Sequence, residues 1–303
     1  MISENLTYWL GRPVEDYAPG NEIDDGEIYR FRMDWEAEHS MAEMFAAFTA
    51  HPNAPQTTAL VIGAWFGDDS GVDSTEIVQL LVGARHALPK LEAIFFGDVI
   101  GEENEISWIN QTDVSPLFSA YPGLKHFSVR GGSGLSLGGK MRLEHLESLT
   151  IETGGLPRSV LAEVFSMDLP KLEKLELWLG TDSYGWDGGV ADLKPLLDGG
   201  LFPSLKHLGL RDSEIVNQIA EALVTAPILD RIQSLDLSLG TLTDEGAAHL
   251  VLCEGLRKLK SLDLHHHYCT AEGVRSLKAA FPGVNLDDQQ ALDQYGPYVA
   301  VGE

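Results

Sequence analysis

The sequence predicts an α/β solenoid, a right-handed superhelix of β/α units with parallel strands on its concave face and helices on its convex face. Two copies of one pattern carry this first. Ile232-x-x-Leu235-x-Leu237 leads to Gly246 and Leu250, and Leu259-x-x-Leu262-x-Leu264 leads to Gly273 and Leu277. Leu-x-Leu alternates with period two, so both leucines fall on one side of a short strand. After Thr243 and Thr270 the spacing turns helical, with Gly246, Ala247, Leu250 and Val251 on one helix face. Neither element can bury its apolar side alone, whereas stacked copies can.

The second observation is a series of paired apolar strand positions: Leu60/Ile62, Ile94/Phe96, Phe127/Val129, Leu149/Ile151, Leu175/Leu177, Leu208/Leu210, Leu235/Leu237, Leu262/Leu264 and a weaker Val284/Leu286. They recur at steps of 34, 33, 22, 26, 33, 27, 27 and 22 residues. The third is a shared lead-in, LPKLEAIFF, YPGLKHFSV, LPKLEKLEL, FPSLKHLGL and FPGVNLD, whose proline ends one helix and sets up the next strand.

In order along the chain, residues 1–55 do not repeat and read as an N-terminal cap. Glu27 to Trp35 alternates as a strand. Ser40-Met-Ala-Glu43 is a capping-box pattern ahead of an amphipathic helix through Met44, Phe45, Ala47 and Phe48. Residues 56–286 hold the repeats. Thr243 and Thr270, each followed within two residues by an acid, are expected to cap their helices. Residues 287–303 form a polar tail that either frays or packs on the last repeat.

This pattern resembles the leucine-rich-repeat superfamily, in its ribonuclease-inhibitor-like class with helical units, over roughly residues 56–286. It also resembles a group of bacterial leucine-rich-repeat proteins of similar size. The class implies a binding scaffold and no catalytic centre. Its members usually place an asparagine three residues after the second strand leucine. Here that slot holds Gly180, Ser213, Gly240 and His267, so backbone or other side chains must hold the turns.

With 44% hydrophobic and 22% charged residues the chain has ample material for a core. Its formal net charge of −25 repels nucleic acid and anionic membranes, and favours a partner with a basic face. The first twenty residues lack a basic and then apolar leader, and no apolar run approaches a membrane span, so a cytoplasmic protein is expected. Cys253 and Cys269 read as buried thiols rather than a staple.

Alternation sends the residues beside the strand leucines into the concave groove. Arg130, Glu152, Glu176, Trp178, Arg211, Asp236, Asp263 and His265 are the candidates for partner contact there. The long step after Leu177 leaves a loop carrying Tyr184 and Trp186 to the same rim, beside acidic stretches at 65–69 and 97–116 that include Trp108. Trp178 and Trp186 are the expected anchors. The competing placement for Trp178 is packing beneath that loop. An alternative function, an enzyme or metal site, would use Asp236, Asp263 and His265 on adjacent strands about 4.8 Å apart. Adjacent histidines on one strand point apart, which argues against a larger cluster at His265-His266-His267. Gly131-Gly-Ser-Gly134 and Gly138-Gly-Lys140 do not fit a phosphate loop. We expect no catalytic residues, cofactor or metal.

Overall fold

A computed structural model describes residues 2–33, 36–292 and 294–302. Among the described residues eleven strands lie in one sheet in sequence order. They are β1 (Tyr8–Trp9), β2 (Arg12–Asp16), β3 (Ile28–Phe31), β4 (Ala59–Ile62), β5 (Ala93–Phe96) and β6 (His126–Arg130). β7 (Ser148–Glu152), β8 (Lys174–Gly180), β9 (His207–Ser213), β10 (Ser234–Asp236) and β11 (Ser261–Asp263) continue it. The β1–β2 hairpin is antiparallel, and every later neighbour is parallel. Parallel neighbours need crossovers, which the helices supply.

Those helices are α1 (Met41–Ala50), α2 (Thr75–Ala84), α3 (Ser115–Ala120), α4 (Arg158–Ser166), α5 (Val190–Leu197), α6 (Val216–Leu223), α7 (Asp244–Leu252) and α8 (Ala271–Ala280). Each packs on the next outside the sheet, except where β6 runs to β7 through a glycine-rich loop without a helix. That is a step of 22 residues, which leaves no room for one. None of the described helices is long and apolar enough to cross a membrane.

The strand register follows the paired apolar positions. Leu60, Ile94, Phe127, Leu149, Leu175, Leu208, Leu235 and Leu262 stand beside one another strand by strand. All of them are buried in one continuous core against the helices. The weak Val284/Leu286 position survives as a single parallel bridge from Asp263 to Asn285. The sheet also runs into the first 55 residues, because Tyr29 and Phe31 pair with Leu60 and Ile62. The strand expected over Glu27–Trp35 is Ile28–Phe31; Trp35 lies outside the described residues.

The capping box forms at α1: the Ser40 hydroxyl accepts from the Glu43 amide and the Glu43 carboxylate accepts from the Ser40 amide. Thr270 caps α8 through its hydroxyl. Thr243 does not cap α7 in this way; its hydroxyl instead accepts from Asn217 Nδ2 at 2.9 Å.

The turns are held as the missing asparagines required. His267 is fully buried; its Nδ1 accepts from the Cys269 amide at 3.2 Å and its Nε2 reaches the Leu286 carbonyl at 3.2 Å. It thus ties two successive turns together as a neutral ring, and burial pushes its pKa down. At Gly180, with φ of +71°, the Gly154 backbone passes so close that no side chain fits. Both cysteines are free, buried thiols.

Candidate functional site: the concave face and the strand-end rim

The pleat gives the concave face its own rows of side chains. Over β2–β5 these are mostly apolar: Val14, Ile28, Ala59, Val61, Ala93 and Phe95 form a second cluster, covered by Leu6 and Trp9, with the Arg30–Asp16 pair at its edge. The Trp9 ring meets Phe95 edge-on at 5.9 Å. The N-terminal hairpin therefore seals the first third of the groove. From β6 onward the same rows turn mostly polar; they are largely buried over β6–β8 and partly exposed from β9.

Two ion networks fill these rows. Arg130 Nε binds Glu152 at 2.7 Å, its Nη1 donates to the Val99 carbonyl at 2.8 Å, and its guanidinium lies 5.3 Å from the Phe95 ring centre. Asp98, fully buried at the end of β5, accepts from Arg30 at 3.0 Å and from the Leu6 amide at 3.1 Å. Further along, Arg211 reaches Glu176 at 2.7 Å, Asp236 at 3.2 Å and the Ser238 hydroxyl at 3.0 Å. Glu176 also binds Lys174 at 2.9 Å and accepts from the Trp178 indole at 3.1 Å. Burial alone would raise the Glu176 pKa, but Lys174 and Arg211 hold it down at about 2. Gly209 makes this possible: a Cβ there would stand 2.9 Å from Glu176 Cγ. Buried charges are tolerated only when paired this fully.

The structure corrects the expected anchors. Trp178 is only 7% exposed and lies under Arg211, whose guanidinium sits 5.0 Å from its ring centre. Trp186 is 3% exposed. The turn Asp182–Tyr184 and Gly185, with φ of +115°, fold it inward, where its amide donates to the Thr181 carbonyl at 2.9 Å. Both rings are internal packing. Alternation put Trp178 on the correct face, but an arginine one strand away covers it.

Tyr184 is half-buried on the rim. Arg130, Glu152 and Glu176 are buried within their networks, while Arg211, Asp236, Asp263 and His265 remain partly exposed in the groove. Asp236, Asp263 and His265 do not converge on one point. Asp236 turns to Arg211 and the Ser238 amide; Asp263 accepts from both the backbone amide and Nδ1 of His265, and from Asn285. Among the described residues no group of three or more His, Cys, Asp or Glu could hold a metal ion.

Two features complete the rim. Trp108 stands 61% exposed at the end of the turn Ile106–Trp108, which leaves β5. The sequence placed it in an acidic rim loop, and that was the available signal. The second is the tail, whose described residues pack on the last repeat, one of the two expected outcomes, and run on beyond it. It crosses the strand ends as a strap. Tyr298 exchanges hydrogen bonds with the Tyr268 hydroxyl at 3.0 Å, and the Ala300 amide donates to Leu239 at 2.8 Å. Val301, 6% exposed, donates its amide to Asp212 at 2.9 Å. The Gly302 carbonyl accepts from Ser107 at 2.7 Å, 195 residues away in sequence. Asp212 is fully buried in a left-handed conformation, with φ of 50°, and burial pushes its pKa up to about 8.

Comparison with known proteins places this geometry. No family model and no curated protein matches the chain. Among solved structures, a protein from Bacteroides fragilis is 33% identical with a TM-score of 0.79, covering 86% of this chain and 73% of its own. A TLR13–ssRNA13 complex aligns at 18% identity and a TM-score of 0.38, over 87% of this chain and 36% of the receptor. A leucine-rich-repeat protein of Leptospira interrogans aligns at 12% identity and a TM-score of 0.24, over 86% and 79% of the two chains.

Proposed function

The chain belongs to one family with the Bacteroides fragilis protein and is a leucine-rich-repeat solenoid, and from that premise we propose that it is a cytoplasmic scaffold binding a protein with a basic face. The single observation carrying this reading is Trp108, exposed on the acidic strand-end rim. A tryptophan held in water is unfavourable, and large exposed aromatics concentrate at contact surfaces. Glu102, Glu103 and Glu105 precede it in the same loop. The contact surface in this reading runs from Trp108 into the open groove over β9–β11, where Arg211, Asp236, Asp263 and His265 are accessible. The concave charge network is prearranged, so little side-chain freedom is lost on binding.

Photo-crosslinking tests this. With a benzophenone amino acid at position 108, a discrete adduct should form in lysate of the source cells and weaken at high salt, since net-charge steering is screened. The same label at Leu252, exposed on the convex α7, should give none. Equal adducts at both positions, or none at either, would remove the rim from consideration.

A further inference from the structure

The strap and the ends of β8–β10 enclose a half-open cavity of about 620 Å³. One wall is rim: Thr181, Tyr184, Glu214 and Thr241. The other is the strap from Pro297 to Gly302, with Tyr298. This volume lies within the range of small-ligand sites.

Its electrostatics differ from the rest of the groove. Asp98, Glu152, Glu176 and Asp236 each hold an arginine. Among the described residues Glu214 pairs with no cation; its Oε1 only accepts the Asp182 amide at 2.9 Å. Burial, with Asp182 nearby, moves its pKa up, the direction expected of a carboxylate lacking a counter-ion. The Thr181 hydroxyl, buried in the same wall, has no hydrogen-bond partner among the described residues. A carboxylate without its cation and two tyrosines around one space complement a group with N–H donors, one positive charge and an apolar stem.

We propose that this cavity binds an alkylammonium cation, with Glu214 as counter-ion and Tyr184 and Tyr298 as walls. A lysine side chain and a free polyamine share that chemistry. In the lysine case the inference rests on the scaffold reading, since the basic partner would supply the side chain; the polyamine case stands without it. The strap forms half the cavity, so occupancy also pins residues 297–302 to the rim.

Calorimetric titration at low salt tests this with two probes, N-acetylated and C-amidated tetralysine and spermidine. Either should bind at one site on the wild type. Glu214→Gln keeps the oxygen that takes the Asp182 amide and should weaken binding at least tenfold. Ser183→Trp, which fills the exposed mouth, should do the same without touching Glu214. Glu245→Gln, an exposed acid on α7, should change nothing. Tighter tetralysine identifies a protein lysine, and tighter spermidine a polyamine. The proposal is overturned if folded wild type binds neither probe. It is equally overturned if Glu214→Gln and Glu245→Gln weaken binding alike, or if the fully acetylated lysine peptide binds as well. Failure here with the position-108 crosslink intact removes the cavity alone. Loss of the crosslink with tight, Glu214-dependent binding removes the scaffold reading alone.

Discussion

Arg211→Met removes the cation that Glu176 and Asp236 share while keeping the apolar stem over Trp178. Glu176 is buried and would keep only Lys174, itself 44% exposed. Breaking a fully buried pair costs about 3–5 kcal/mol. The surviving lysine and the partial exposure of Arg211 reduce this to about 2–3 kcal/mol. Urea unfolding at pH 7 is the assay. Glu176 has a depressed folded pKa of about 2, so its contribution is present above the ordinary carboxylate range and fades as pH falls through about 2. The gap between wild type and Arg211→Met should therefore narrow in acid. Adding Glu176→Gln to Arg211→Met should recover about half the loss, because the uncompensated charge is then gone. A double mutant as unstable as the sum of the two singles would refute the coupling, and with it the view of the groove as a closed charge network.

Leu235→Ala, in the centre of the core ladder, should cost about 2–5 kcal/mol in the same assay; a loss under about 1 kcal/mol would contradict its place there. Asp212 has a raised folded pKa of about 8, so the folded state holds a proton the unfolded chain releases near pH 4. Stability should fall as pH rises between those values, and Asp212→Asn should flatten that slope. A Cβ on Gly154 would collide with Ser107 Oγ and the Gly302 carbonyl, so Gly154→Ala should raise hydrogen exchange at Ala300 and Val301 and leave β9–β11 protected.

The ladder was legible because repetition over-determines it. A one-residue slip of β8 would put Leu175 and Leu177 on the wrong face together and out of line with Leu208 and Leu210. The N-terminal strand stood outside the repeat count, although Tyr29 and Phe31 face the same core as Leu60 and Ile62. The burial of Trp178 and Trp186 was not legible, for a different reason. Trp178 and Trp186 were placed on the proper side of the sheet, but burial depends on what lies above them. For Trp178 that is Arg211 from the next strand, and for Trp186 it is the backbone reversal at Gly185. The strap depends on contacts such as Ser107 to Gly302, which no local pattern encodes. Thr243 shows the same limit in miniature: its hydroxyl accepts from Asn217 of the preceding unit.

The most direct measurement of the central claim is partner capture by wild type and by Trp108→Ala, at low and at high ionic strength, with circular dichroism on both. Trp108 packs into no core, so the variant should fold as wild type does. The account predicts salt-sensitive capture by wild type and at least a tenfold loss in the variant at low salt, the effect of about 1.4 kcal/mol or more expected of an interface anchor. Undiminished capture by a folded Trp108→Ala protein would contradict it and move the interface to the convex helices.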